Sequence, residues 1–480
     1  MKEKTIHNLA KSVLVDPSKD TKYKDLKFYN DNNKIDEALT MDFLELNGVY
    51  VVDSKIVKLK DNIAKIFTNL EMFVYILEYI KTLNNNALRS NFIKQGNTLL
   101  IKNTAFLQSL QKLDLKQYKD TKERAILFYL NCFVIHSKDG IKVYEYKELS
   151  TQIKGQYIYD SQIIDGYFDV KADYKQAQFY EFLNLSSNSK KHLLNFVTTI
   201  GHLLHSYKNP SIAKAIIISD INSQVTNSAN GRSGKGLIVK ALDEMKSLVE
   251  YNGKNLDLTK DRFVFQSIIA NVTELFVLQD VEANFNFEAL FAVITDKMSI
   301  EKKHQIKEIL DFYLSPKIIV TTNYPIKGEG GSFTDRKHLL LLNNHFNSSF
   351  KPEHYFKNLF FIQWDKLEYS KFYALMSFCI VEYLKHGLVE YNSPELEIQK
   401  LRNETNDSFI DLMNSDYDAL NNYYNLKEIT NKLHDEFGNT EYSAKSRIVG
   451  KWVDLWANYK GYKVERKKSG GITKICFSLI

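Results

Sequence analysis

Four short apolar runs, Ala215–Ser219, Thr273–Leu278, Lys317–Thr322 and Lys337–Leu342, are separated by stretches of helical period between Ala213 and Leu342. A strand with one face in water alternates polar and apolar residues. A run that is apolar throughout is covered on both faces. Strands of that kind spaced by helices predict an α/β fold, a parallel sheet with helices packed over it. This is the strongest constraint that the chain places on its own architecture.

The flanking regions have a different texture. Residues 1–40 are polar, with little periodicity, and are expected to form a loosely ordered arm. Over 41–125 a short strand pair, Gly48–Leu59, precedes helical stretches such as Leu70–Leu83. Phe128–Tyr146 reads as two strands joined at Asp139-Gly140, a residue pair suited to a tight hairpin. Apolar positions at Phe179, Phe182, Leu183, Leu193, Leu194, Phe196 and Val197 predict helix over 174–208. Residues 352–388 are helical and aromatic. The expected boundaries are a mixed α/β N-terminal region over 1–125, a helical and hairpin collar over 126–208, the sheet core over 209–350, a helical lid over 351–400, a linker over 401–419 and a C-terminal domain over 420–480.

Composition excludes more than it selects. With 480 residues, 44% hydrophobic and 25% charged, the chain has enough material for several globular domains. The net charge of +6 is only mildly basic. The excess is concentrated at the end: from Lys427 onward there are eleven Lys/Arg against six Asp/Glu. Three scattered cysteines, Cys132, Cys379 and Cys476, form neither a disulfide framework nor a zinc pattern. The first residues lack the apolar stretch of a signal peptide, and no apolar run approaches the roughly 20 residues needed to cross a bilayer. A cytoplasmic location, in a host cell if the gene belongs to a phage, and no membrane partner are the expectation.

The sharpest chemical signal is Ala229–Gly236, followed by the apolar helix start Leu237-Ile238-Val239. A phosphate cradle needs small residues so that backbone N–H groups approach the anion, a lysine for the β- and γ-phosphates, and a helix N-terminus facing the charge. Asn230, Gly231, Arg232, Ser233, Gly234, Lys235, Gly236 and Leu237 supply these parts in order. The usual pattern has a glycine where Ala229 stands and a magnesium-holding Ser or Thr where Gly236 stands. Alone, such a segment is also what a Gly-rich turn between two elements looks like.

Two further strand ends make the cradle more specific. Asp280 lies 45 positions after Lys235 at the end of an apolar run, with Glu282 close behind. An acid at such a tip positions Mg²⁺ or polarises a water. Asn323 ends the next run 43 positions on, where an amide can hold the water or the γ-phosphate. Beyond it, Arg336 precedes the last run and is placed for an arginine-finger role toward a neighbouring subunit. Between the acid and the asparagine, Lys302, Lys303 and Lys307 form a basic segment, either a solvated face or a hairpin gripping a phosphate backbone.

In these residues the sequence resembles superfamily 3 helicases, in particular the poxvirus-type primase-helicases and their phage and plasmid relatives. The resemblance spans about residues 125–345 and is carried by Gly201–Ser219, Asn230–Leu242, Leu275–Thr295, Ser299–Lys303, Ser315–Phe333 and Asp335–Leu342, with weaker echoes at Lys138–Leu149 and Gly155–Asp165. It implies a P-loop, AAA+-like ATPase core that uses ATP and Mg²⁺, hydrolyses ATP, and translocates on single-stranded DNA as a ring, a homo-hexamer, in replication of a phage or other mobile element. Carried over by position, Gly234 and Lys235 belong to the cradle, Asp280 is the second acid of the Walker B tip and the metal-side group, Asn323 is the sensor, Arg336 the arginine finger, and Lys302 or Lys303 the DNA-gripping lysine. Gln279 stands where the first acid belongs. The N-terminal 120 residues show no cluster of metal-binding carboxylates, so the chain is not read as a primase, and a separate primase or replication initiator is an expected partner.

Residues 420–480 read as three helices and then two strands divided by Ser469-Gly470-Gly471, an order that suits a DNA-binding winged helix. Lys445, Arg447, Lys467 and Lys468 are its candidate phosphate contacts, on single-stranded or duplex DNA. Trp452, Trp456 and Tyr459 fall at helical spacing and are expected in the core of this domain rather than against bases. The alternative to a helicase is a hydrolysis-weak nucleotide- and DNA-binding initiator that does not unwind. Gly236 and Gln279 favour that alternative. A packaging motor is a third reading, disfavoured by the basic segment and Arg336.

Overall fold

The computed structural model describes residues 27–52, 54–221, 233–303, 306–326, 331–437 and 446–479. The candidate residues Asn230, Gly231, Arg232 and Lys445 lie outside them, as does most of the expected N-terminal arm.

At the N-terminal end, helices Glu37–Leu46, Asn69–Thr82 and Asn86–Gly96 pack beside the antiparallel strands Val49–Val52, Lys55–Lys60 and Ile63–Ile66. Phe28, Phe43, Ile76 and Phe92 form the centre of this unit. Phe28 is fully buried, so the chain is anchored to this core at that point of the expected arm. Local sequence explains where the second helix starts: Thr68 Oγ1 accepts from the Glu71 N–H at 3.2 Å and Glu71 Oε2 accepts from the Thr68 N–H at 2.9 Å, a reciprocal capping box.

The collar holds three antiparallel strands, Ala125–Tyr129, Phe133–Ser137 and Gly140–Tyr144, where two were expected. The Asp139-Gly140 turn stands as read, with Gly140 at φ 128°. The extra turn falls at Leu130-Asn131-Cys132, which carries no Gly or Pro to mark it. Helix α1 (Lys190–Leu204) follows and is buried from Asn195 to Leu204 on every face.

The core sheet contains β1 (Ala215–Asp220), β2 (Leu248–Asn252), β3 (Leu275–Val281), β4 (Lys317–Thr322) and β5 (Lys337–Leu342), with α2 (Lys235–Asp243) following β1. All pairings are parallel and the order is β2-β3-β4-β1-β5. The four apolar runs are therefore strands, as expected of a parallel sheet. Strand β2 was not anticipated: it is the edge strand, only half-buried, and its sequence LVEYN has no continuous apolar run. Along β1, Ile216 and Ile218 pack with Ile238, Val239 and Leu242 of α2, whereas Ile217 points to the layer of Phe287, Leu290 and Ile294. Each fully buried isoleucine contributes about 2 kcal/mol of burial free energy. Helix α3 (Lys366–His386) lies against α1. Their approach is close at Gly201, where a Cβ would fall 2.1 Å from the Cys379 carbonyl oxygen.

The C-terminal part begins earlier than the sequence boundaries placed it. Helix Pro394–Glu404, across the expected boundary of lid and linker, and α4 (Asp407–Asp416), in a linker expected to hold some helix, contribute Leu401, Phe409, Ile410 and Met413 to the C-terminal core. Then come β6 (Tyr423–Asn425), α5 (Leu426–Phe437), α6 (Ser446–Lys460), β7 (Tyr462–Ser469) and β8 (Ile472–Leu479), with β8 antiparallel between β6 and β7. Trp456 is fully buried and its Nε1 donates to Asn414 Oδ1 at 3.1 Å; Trp452 packs on Phe409. The tryptophans are core, while Tyr459 is exposed. Among the described residues no helix is long and apolar enough to cross a membrane.

Two buried histidines tie these layers together. His136 Nε2 meets Ser377 Oγ at 3.0 Å, linking the collar to α3, and His338 Nε2 meets Thr199 Oγ1 at 2.8 Å, linking β5 to α1. Burial pushes both imidazoles down from 6.5 to about 4. The unfolded chain therefore takes up these protons near pH 6.5 and the folded chain only near 4. Stability is fully present above pH 6.5 and falls between 6.5 and 4, by up to about 3 kcal/mol per histidine. Urea unfolding at pH 7.5, 6 and 5 is expected to show a declining midpoint, with a shallower decline in a His136→Asn, His338→Asn double variant, since burial lowers His192, His202 and His205 as well.

Candidate active site

The C-terminal tips of the core strands open into a cleft of about 480 Å³. Its floor is built by the join of β1 to α2. Gly234 caps α2 in the left-handed region at φ 108°, and a Cβ there would sit 2.6 Å from the Phe182 ring. Only glycine fits both the dihedral and the space. Lys235, the first helical residue, is thereby turned inward and buried. Its ammonium pairs with the Asp220 carboxylate at the end of β1 and donates to Asn323 Oδ1 at 2.8 Å, just past β4. Asp220 is itself 4% exposed. Two polar atoms beside this pair, Asp220 Oδ1 and Ser233 Oγ, are buried without a hydrogen-bond partner.

The acidic tip depends on an irregularity. The register of β3 on β4 shifts between Leu278 and Val281, and Asp280 takes φ 52° there. This backbone is pinned from β4: the Asp280 N–H donates to Thr321 Oγ1 at 2.9 Å, and Thr322 Oγ1 donates to the Val281 carbonyl at 2.9 Å. The bulge leaves the Asp280 carboxylate exposed in the cleft lining. A left-handed non-glycine residue held by its neighbours is a pattern common at functional sites. Gln279 also lines the cleft, and its Nε2 donates to Glu250 Oε2 on β2. Burial, then the nearby Asp243, raises the Glu250 carboxyl above its ordinary value.

Gly234, Lys235, Gly236, Leu237, Asp280 and Asn323 thus share one cleft. Glu282 is half-buried beyond the bulge and does not line it. Arg336 is elsewhere: its carbonyl accepts from the Ala215 N–H at the start of β1, at the opposite end of the strands. Asp220 stands five positions farther along β1, roughly 17 Å away at about 3.3 Å per residue. The Arg336 guanidinium lies 4.8 Å from the Phe291 ring centre and bonds the Ser332 carbonyl at 3.1 Å.

The basic segment is the tip of an antiparallel hairpin, Met298–Ile300 with Glu308–Leu310. Lys303 and Lys307 are exposed on it and Lys302 is half-buried; Lys307 is 3.5 Å from Glu301. In the C-terminal part, Arg447, Lys467 and Lys468 are exposed, and Lys467 Nζ meets the Tyr423 hydroxyl at 2.5 Å.

Sequence reasoning missed two contributions. Asp220 carries a signal, a carboxylate closing an otherwise apolar run. The lining from Lys351 to Phe360 carries none. For Mg²⁺, which is usually held by one or two carboxylates with phosphate oxygens and waters, Asp280 fits as the protein ligand.

No protein-family model matches the chain, and no curated protein matches it significantly. Among solved structures, the chain is similar to the apo C-terminal region of NrS-1, at 11% identity and a TM-score of 0.32, over 74% of this chain and 96% of that one. It is also similar to the JCV helicase bound to a thiazolopyridine phenoxyphenyl acetamide, at 13% identity and a TM-score of 0.26, over 57% of this chain and 65% of that one. Likeness at this level transfers neither a fold nor a function, and the chemistry of the cleft is read from its own geometry.

Replacing Asp220 by Asn removes the buried counter-charge of Lys235. Stability is expected to fall by about 3 kcal/mol, while affinity for inorganic triphosphate rises because the ammonium no longer has to leave a carboxylate. Urea unfolding and calorimetric titration measure the two effects. Unchanged stability together with weaker binding would contradict the pairing.

Proposed function

We propose that this chain is an ATP-hydrolysing DNA helicase of the superfamily 3 kind, working as a homo-hexameric ring in replication of a phage or other mobile element. The observation that carries the reading is the meeting of Lys235, Asp280 and Asn323 at adjacent strand tips around one cleft. Strand β4 lies between β1 and β3, so Asn323 stands between the cradle and the acid.

The chemistry follows from these positions. A triphosphate entering the cleft replaces Asp220 and Asn323 as the partner of the Lys235 ammonium, aided by the positive end of the α2 dipole. Asn323, released from Lys235, has its amide free to hold the attacking water. Asp280 holds Mg²⁺ or orients that water; the metal, when bound, neutralises charge on the β- and γ-phosphates. Arg336 sits too far from its own cleft to act there, so a finger role is available only toward the nucleotide of a neighbouring subunit. That is the support for a ring.

Support for DNA as the substrate comes from two exposed basic surfaces. The hairpin presents Lys303 and Lys307, with Lys302 beside them, for a phosphate backbone. The C-terminal order helix, strand, helix, helix, strand, strand, with a three-stranded antiparallel sheet, supports reading this part as a winged helix. Arg447, Lys467 and Lys468 are its exposed cations, with Lys445 outside the described residues. A separate primase or initiator would complete the replication machinery.

DNA-stimulated ATP hydrolysis is the direct test. Turnover is expected in the native protein and not in Lys235→Ala, and equal rates in the two would remove the proposal.

One second reading has a specific observation behind it. Gly236 lacks the metal-side hydroxyl, and Gln279 is occupied with Glu250, features of a nucleotide-binding initiator with weak hydrolysis. A Cβ at Gly236 meets nothing within 4 Å among the described residues, so a side chain can begin there. Gly236→Thr is expected to raise turnover several-fold at limiting Mg²⁺. An unchanged rate would mean that Ser233, Asp280 and waters already complete the metal shell.

A further inference from the structure

Among the described residues three lysines line the cleft, and two of them are already matched. Lys235 pairs with Asp220, and Lys351 lies 3.1 Å from Glu353. The third, Lys240, has no ion-pair partner among the described residues. It stands on α2 four residues after Gly236, so the two share one face of the helix. Both are exposed, and both line the cleft.

The Lys240 charge lies on the side of the cleft that holds Asp280. Burial and Asp243 raise the Glu250 carboxyl, and Lys240 opposes them, which puts its ammonium near Glu250 on β2. Glu250 in turn accepts from Gln279, the residue before Asp280. Helical geometry opens a way from there to the phosphates. Side chains on a helix lean toward its N-terminus, and the lysine stem is a flexible four-carbon chain. One turn back stands Gly236, where even a Cβ would meet nothing within 4 Å among the described residues. The four residues between them span only about 6 Å of helix.

This cation stands where the usual metal-side groups are missing. A phosphate cradle commonly carries a hydroxyl at the Gly236 position, and Gln279 is an amide where an acid is usual. Asp280 remains, yet a triphosphate is a polyanion whose charge must be met from that side. We propose that Lys240 is a second phosphate-binding cation of this cleft, reaching the triphosphate over Gly236, so that the cleft holds a triphosphate whether or not it carries magnesium. This assignment rests on the nucleotide-binding reading of the same cleft and adds the form of the ligand that it accepts. A cation in the last turn of a helix also suits the negative end of the dipole. That role acts on stability and leaves metal dependence untouched.

Calorimetric titration with inorganic triphosphate, in EDTA and in excess Mg²⁺, tests this in the native chain, Lys240→Met, Lys240→Arg and Lys235→Ala. In EDTA, Lys240→Met is expected to lose about tenfold in affinity, the worth of one charge-assisted bond, and Lys240→Arg to recover most of it. In Mg²⁺ the loss should stay within about twofold, because the metal already neutralises the phosphates. The two media are compared on the same variant, so a change in its folding cancels. Native protein that binds only with Mg²⁺, or an equal loss in both media, would overturn the role of Lys240 and leave the nucleotide site standing, with binding still abolished in Lys235→Ala. Unchanged affinity in Lys240→Met together with a lowered urea midpoint would reduce the residue to its dipole role. Failure of native protein to bind triphosphate in either medium would overturn the nucleotide reading itself.

Discussion

A lysine at the first position of a helix faces the positive end of the helix dipole, an unfavourable place for a cation. Lys235 is held there nonetheless, and buried. It stays because Asp220 and Asn323, from two neighbouring strands, supply a charge and an acceptor within reach. Removing two charges from water is costly, and such a pair rarely adds net stability over an apolar contact of the same shape. Its value lies in what it prepares. The ammonium is already desolvated and already aimed at the cleft, so an incoming anion exchanges one negative partner for another. In the proposed reading, that exchange of counter-charge frees Asn323 and is the event that the sheet senses first.

Everything that positions the pair is a property of the parallel sheet. Parallel strands bring all their C-terminal ends to one edge, and the order β2-β3-β4-β1-β5 puts the Asn323 tip between the Asp220 tip and the Asp280 tip. Thr321 and Thr322, the last residues of β4, then fix the bulge that exposes Asp280. Strand β4 is thus the mechanical link between the cradle and the acid. In the proposed reading, a ligand at Asn323 would bear on the Asp280 bulge through these two hydroxyl bonds rather than through a flexible loop.

The legibility of the fold in the sequence obeys the same physics. The doubly covered strands were legible because burial on both faces forces continuous apolar runs, and their polar ends, Asp280 and Asn323, stood out against those runs. Strand β2 escaped because an edge strand is under no such pressure. The helices over 394–416 were legible only in part, as the end of a helical lid and a linker with some helix in it, because their apolar residues, Leu401, Phe409, Ile410 and Met413, are sparse among polar ones. Asp220 was visible as a residue but not as a partner, since the segment between it and Lys235 conceals how closely the two return.

The sheet also separates two kinds of chemistry by its length. Lys235, Asp280 and Asn323 gather at one end; Arg336 is held at the other by Phe291 and Ser332. A guanidinium that cannot reach the cleft of its own subunit contributes to catalysis only if copies pack with one subunit's strand starts near another's strand tips. That is a heterologous contact, which closes a ring where the rotation between copies allows it. In the proposed ring, the exposed lysines of the hairpin would share a common axis with those of the other copies. The hydrolysis, assembly and DNA proposals therefore stand on one feature, a single parallel sheet whose two ends do different work.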